Sequence, residues 1–281
     1  MATCYRHPDR ETGLSCSECG RPICTECMTM APVGIRCPDH AGTRQQRVAV
    51  PRPVVRAQRR MGAFTAPVTK ALIAINVGVY LITAVQGNGI NAPGGSLFLK
   101  WALDGPDVAN GGWWRLITAA FLHEGLLHIG LNMLSLYFIG PAVEQFLGGP
   151  RFLAVYLVAG LAGSAGALLQ APLTYTVGAS GAIFGILGAF AVLEWQSTGR
   201  IAGQAMTWIV INLVFSFTVS GISWGGHVGG LIAGVLATLS FAHWGRGHAA
   251  YGRIGVVGVL GLVAIAAGSV AIAYFKVRGY A

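Results

Sequence analysis

Charge is what this 281-residue sequence has least of. Asp and Glu together number 10, Lys and Arg 19, and all charged residues make up 10% of the chain. A soluble globular chain carries roughly a quarter. That scarcity excludes an ordinary water-soluble domain. Cysteine is also missing from most of the chain. All six Cys fall between positions 4 and 37, so thiol chemistry belongs to the N-terminal stretch alone. Carboxylates are rarer still beyond residue 66, where the acids are Asp104, Asp107, Glu124, Glu144 and Glu194. Any buried acid in that stretch must be one of these five. The N-terminus also lacks a charged-then-apolar start, and no cleavable secretory leader is expected there.

What is abundant is apolar surface and glycine. Hydrophobic residues are 54% of the chain and Gly numbers 41. Such a composition suits a polytopic membrane protein, where Gly permits close helix contacts. The formal charge of +9 could point to nucleic acid. Its placement argues otherwise. Arg44, Arg47, Arg52, Arg56, Arg59 and Arg60 sit just before the first apolar run. There they act as a topology signal and as contacts to anionic lipid.

Three regions follow: a Cys/His-rich segment at 1–42, a basic linker at 43–66 with Pro51 and Pro53, and a membrane domain from 67 onward. A span needs about twenty mostly apolar residues. Seven are predicted, near 68–86, 126–145, 151–171, 179–196, 202–219, 226–243 and 254–275. They are expected to be helices, because backbone groups in lipid must be satisfied within the segment. The fourth and sixth are short and Gly-rich, which suits helices packed by protein. Lys70, Arg151, Arg200, Arg246 and Arg253 fall on one side of a seven-span arrangement. By the positive-inside rule that side is cytoplasmic, with the N-terminus inside and the C-terminus outside. Lys100, Arg115, Lys276 and Arg278 depart from it. The loop 87–125 is long, and Trp101, Trp113 and Trp114 in it suit a membrane interface.

Polar groups inside spans are costly, so they are functional candidates. Ser180, in Gly178-Ala179-Ser180-Gly181, opens the fourth span. Its helix N-terminus offers free N–H groups to a developing oxyanion. Taken alone, the same string describes a helix N-cap. His227, in Gly226-His227-Val228-Gly229-Gly230, opens the sixth span at the same predicted depth. Alone it is an interfacial capping His. His128 and Asn132 share one face of the second span and can both donate. Alone they form a polar helix contact. Together these residues supply a nucleophile, a base and oxyanion donors, which acyl transfer requires. Glu144 and Glu194 fall near the inner face, so a Ser–His dyad is expected. Phe184, one turn after Ser180, is predicted to pack its ring on His227.

Trp114-Arg115, His128-x-x-x-Asn132, Gly-Ala-Ser180-Gly and Gly-His227-x-x-Gly-x-x-x-Gly, in this order, resemble the rhomboid intramembrane serine proteases. The match covers roughly 67–245. Gly140-Pro141-Ala142-Val143-Glu144 and His123 resemble further family features. The resemblance implies an all-α polytopic fold: a six-helix core at 67–245 plus one extra C-terminal transmembrane helix within 246–281. It implies Ser180 as nucleophile, His227 as general base, and an oxyanion hole of the Ser180 N–H with His128 and Asn132. The implied activity is endopeptidase cleavage of transmembrane-helix substrates near the outer face, without a catalytic cofactor. Phe184 departs from the family, where many members have Tyr. The alternatives are a catalytically inactive rhomboid-like client binder and a transporter using intramembrane His. Clustering of His and Ser near one face disfavours the transporter, with His243 and His248 assigned to an inner loop.

In the N-terminal segment, Cys4 pairs with His7, Cys16 with Cys19, Cys24 with Cys27 and Cys37 with His40, each with two residues between. That is the knuckle spacing of tetrahedral zinc. Eight ligands make two structural sites; disulfides, or one site with spare ligands, are the alternatives. The order resembles a B-box-type zinc finger. That resemblance implies Cys4, His7, Cys24 and Cys27 on one ion, and Cys16, Cys19, Cys37 and His40 on the other. The location is expected to be a multi-pass plasma-membrane one, the surroundings the lipid bilayer. The partners are transmembrane substrates and a cytoplasmic protein for the zinc domain, not nucleic acid.

Overall fold

The computed structural model describes residues 2–31, 34–41, 65–242, 249 and 255–281. Residues 43–64 of the basic linker, His243, Arg246, His248 and Arg253 lie outside them. The chain divides into two compact units, Met1–Ala63 and Phe64–Ala281.

The first unit has too few residues for a conventional apolar core. Its β1 (Ala2–Cys4) pairs antiparallel with β2 (His7–Thr12), and β3 (Thr29–Met30) with β4 (Ile35–Arg36). Around Ile23 the buried interior is made of Cys4, Cys16, Cys24, Cys27 and Cys37. A segment whose interior is sulfur has little apolar area to bury, so something other than the hydrophobic effect must hold it. Exposed ion pairs such as Arg6–Asp39 and Arg10–Glu26 decorate the surface, where each is worth little.

The second unit is helical. A helix forms in each of the seven apolar segments: α1 (Pro67–Gln86), α5 (Leu126–Leu147), α6 (Gly149–Gln170), α7 (Ser180–Thr198), α8 (Gln204–Thr218), α9 (Trp224–Phe241) and α10 (Val256–Val277). Five of them, α1, α5, α6, α9 and α10, are long and apolar enough to cross a membrane. The other two fall short for different reasons. α8 has only 15 residues, and the 19-residue α7 ends in the polar stretch Glu194–Thr198. Many large apolar side chains face outward, among them Val85, Leu127, Phe138 and Val256, as a lipid-facing surface requires.

The long loop before α5 is folded. It contains α2 (Gly95–Trp101), α3 (Gly105–Ala109), α4 (Arg115–Thr118) and a 3-10 turn at Ala119–Phe121. Arg115 organises it. One nitrogen donates to the Leu99 and Ala102 carbonyls at 2.7 and 2.5 Å, and another pairs with Asp107 at 2.6 Å. Leu103 bridges Thr176, and Gly178 N donates to the Ala119 carbonyl at 2.9 Å. The loop therefore fixes the approach to α7.

Glycine sets the centre. A Cβ on Gly230 of α9 would overlap the Gly181 carbonyl of α7, and one on Gly234 the Gly185 carbonyl. A Cβ on Gly166 of α6 would overlap the Gly225 carbonyl of α9. Three backbones therefore meet with no side chain between them, a packing only glycine permits. Carboxylates near the ends of α5 and α7 tie those helices to their neighbours. Glu144, fully buried near the end of α5, accepts from Val68 N, Thr69 N and Thr69 Oγ1 at 3.0, 2.7 and 2.7 Å. Glu194 near the end of α7 accepts from Gln204 N and Ala205 N at 2.8 and 2.9 Å. Each carboxylate satisfies orphan N–H groups at a helix N-terminus and complements its dipole.

Candidate active site

Ser180 is the first residue of α7. The turn that delivers it needs Gly178, whose φ of +125° lies where side-chain-bearing residues are strained. A Cβ on Gly178 would lie 2.6 Å from His128 Nε2 and 3.8 Å from Ser180 Oγ. The imidazole of α5 and the hydroxyl of α7 thus sit against the same glycine. Asn132, one turn further along α5, donates one amide hydrogen to the His128 carbonyl at 2.9 Å. Its second amide hydrogen is left for another acceptor.

His227 lies in the first turn of α9 and is 7% exposed. Ser223 caps that helix, its Oγ accepting from Gly226 N at 3.2 Å. Gln170, the last residue of α6, accepts from Gly225 N at 2.7 Å and from Ser223 Oγ at 3.3 Å. The start of α9 is thereby tied to the end of α6. The starts of α7 and α9 are neighbours: a Cβ on Gly181 would lie 3.3 Å from the Gly226 carbonyl oxygen. These are the residues beside Ser180 and His227.

The His227 ring is clamped on two sides. Phe184 stacks on it, with centroids 4.2 Å apart and planes at 16°. Ser216 of α8 lies 2.5 Å from its Nδ1. Ser216 carried no signal in the sequence, being one of several hydroxyl residues on an apolar helix. Ser180 Oγ makes no hydrogen bond to the ring. His123 is fully buried, with neither ring nitrogen hydrogen-bonded, and its ring meets His128 edge-on at 5.1 Å.

The arrangement joins side chains of four helices, α5, α7, α8 and α9, that are distant in sequence. A Rhomboid domain matches residues 110–244. "Putative rhomboid protease YdcA" of Bacillus subtilis is 42% identical over 139 residues, which are 48% of this chain and 69% of that protein. The chain belongs to the rhomboid family. "Rhomboid protease GluP" of Bacillus subtilis is 36% identical over 204 residues, 71% of this chain but 39% of that protein. "Rhomboid-like protease 3" of Toxoplasma gondii is 29% identical over 176 residues, 59% of this chain and 67% of that protein. This rhomboid is a multi-pass helical membrane protein, as its family and its apolar helices together establish. The family match begins within the folded loop and does not reach the first unit.

In that first unit, two groups of four side chains gather. Cys4, His7, Cys24 and Cys27 form one, and Cys16, Cys19, Cys37 and His40 the other. Within each group the ligand atoms lie within 4.8 Å of one another. His7 Nδ1 is 3.4 Å from the sulfurs of both Cys24 and Cys27, and Cys19 and Cys37 sulfurs are 3.8 Å apart. All six cysteines are free thiols. Either group could hold a metal ion.

Proposed function

We propose that this rhomboid is an intramembrane serine endopeptidase that cleaves transmembrane-helix substrates near the outer face of the bilayer. The observation that carries the proposal is the meeting of two glycine-flanked helix starts, with His227 stacked on Phe184 one turn beyond Ser180. The proteases among its relatives support the same reading.

Each side chain then has a task. Ser180 Oγ attacks the scissile carbonyl, and His227 takes its proton. The oxyanion forms beside the Ser180 N–H, where the first turn of α7 leaves donors without intrahelical partners. His128 and the free Asn132 amide hydrogen donate to the same oxygen. His227 returns the proton to the leaving amine. Water then attacks the acyl-enzyme with His227 again as base. A substrate helix must unwind locally to present its carbonyl, since a helical carbonyl is already hydrogen-bonded.

The test is cleavage of a transmembrane substrate in proteoliposomes by the parent, Ser180→Ala and His227→Ala. Full cleavage by either variant would end the proposal. The inactive client-binding reading predicts that a fluorophosphonate probe leaves Ser180 unlabelled.

For the first unit the reading is a B-box-type domain holding two structural zinc ions on the two interleaved sets. A tetrahedral ion with Zn–S near 2.3 Å sets neighbouring sulfurs about 3.8 Å apart, which fits the sulfur spacing there. Zinc bound this way supplies folding free energy that the small interior cannot. The domain faces the cytoplasm in this reading and docks a protein partner. The seven helices form a six-span core with one further C-terminal span, N-terminus inside and C-terminus outside, in the plasma membrane.

A further inference from the structure

The protease reading leaves His227 without a carboxylate partner, and a base needs its proton on the correct nitrogen. We propose that Ser216 is a positioning residue that holds His227 in the Nδ1–H tautomer, leaving Nε2 as the base for Ser180. The proposal rests on that protease reading.

The argument is one of proton accounting. Ser216 sits in the last turn of α8 and is 3% exposed. Its Oγ lies 2.6 Å from the Asn212 carbonyl oxygen and 2.5 Å from His227 Nδ1. A hydroxyl has one proton to give and two lone pairs. The Asn212 carbonyl can only accept, so the hydroxyl proton is committed to it. This is the back-bond Ser makes to the residue four before it in a helix. At the second contact Oγ can therefore only accept, and Nδ1 must carry the hydrogen. The neutral ring then has its lone pair on Nε2.

The same contact serves the charged form. When Nε2 takes the Ser180 proton, Nδ1–H remains bonded to Oγ, now with a charged donor, and such bonds are shorter and stronger. The ring cannot turn over, because Phe184 covers one face and Ser216 fixes one edge. A hydroxyl does this without burying a second charge, which an apolar bundle would disfavour strongly. The five acids beyond residue 66 are not needed for it. Glu144 and Glu194 are committed to helix starts, and Asp107 to Arg115.

The experiment compares the full-length parent, Ser216→Ala and Ser216→Thr in proteoliposomes. It measures kcat and KM on a transmembrane substrate, the rate of fluorophosphonate labelling at Ser180, and the melting temperature. The expected result is a fall of about tenfold or more in kcat and in labelling rate for S216A. Its KM should stay within about twofold, and its melting temperature should fall by no more than a few degrees, the cost of one unpaired buried donor. S216T, which keeps the hydroxyl, should recover most of the loss. Parental kcat and labelling in S216A would overturn the assignment. So would equal losses in S216A and S216T, since the hydroxyl would then not be what matters. A parent that neither cleaves nor labels would sink the protease reading itself, and the role of Ser216 with it.

Discussion

Phe184 lies face to face on His227, with ring centroids 4.2 Å apart. The stack places a flat apolar surface where the imidazole would otherwise rock about its χ torsions. A stacked aromatic pair contributes about 0.5–1.5 kcal/mol beyond area burial. Phe184→Ala is therefore expected to lower kcat by up to about tenfold. Phe184→Tyr keeps the stack and should stay near the parent. Turnover in proteoliposomes decides it; a Phe184→Ala enzyme at parental kcat would remove the ring from the mechanism.

Asn132 has one amide hydrogen on the His128 carbonyl and one to spare. If the spare hydrogen meets the oxyanion, Asn132→Ala should cost about 10²–10³ in kcat with KM little changed. Asn132→Asp, which has the same shape but no donor when ionised, should fare no better. Equal losses in kcat and binding would assign Asn132 to substrate docking.

The first unit should contain about two zinc ions per chain by elemental analysis of a reducing preparation. Chelation should unfold it while leaving the helical bundle intact, read as separate transitions in circular dichroism. Acid should do the same. Burial pushes the Cys4 thiol up, but backbone N–H groups of Cys24, Arg6 and His7, with the His7 ring, outweigh it and hold the pKa down to about 6. A depressed pKa means the thiolate is present above that pH and lost as pH falls through it. Zinc competes with protons for such thiolates, so it should be retained at neutral pH and released on strong acidification. Retention of both ions at pH 4 would contradict this.

The two capping carboxylates should differ in weight. Glu144 is fully buried and serves three donors. Truncating it strands buried N–H groups, so Glu144→Ala should lower stability by about 1.5–3 kcal/mol. Glu194 is only partly buried, water can replace it, and Glu194→Ala should cost less than about 1 kcal/mol. Steric-trap or denaturant unfolding in detergent measures both; equal costs would show that burial does not set the difference.

Much of this was legible in the sequence, and the reasons are particular. The seven apolar segments could be read because length and hydropathy together mark a helix in lipid. Each of them is helical here. That Phe184 would lie on the face of Ser180 followed from the 3.6-residue turn, and Gly178 and Gly230 stood where only glycine fits. The grouping of Cys and His was suggested by a recurring two-residue spacing. What could not be read was anything decided by which helix lies beside which. Ser216 is eleven residues from His227 and meets it only because α8 leans on α9. Glu144 and Glu194 were placed on the inner side by topology, but their service as caps for α1 and α8 depends on tertiary contact. The internal order of the 87–125 loop was also hidden, since its short helices are held by Arg115 reaching carbonyls thirteen and sixteen residues away.

The glycine contacts among α6, α7 and α9 have a mechanical consequence. Where backbone lies on backbone, no rotamer change can absorb a push, because there is no rotamer. A bilayer that is too thick or too thin exerts such a push, and tilting or local lipid deformation must accommodate it. This trio would move as one block, with the peripheral α8 and α10 and the surrounding lipid taking up the misfit. The depth of the hydroxyl relative to the imidazole is then a property of the polypeptide, and carrying the protein into a membrane of different thickness should leave it unaltered.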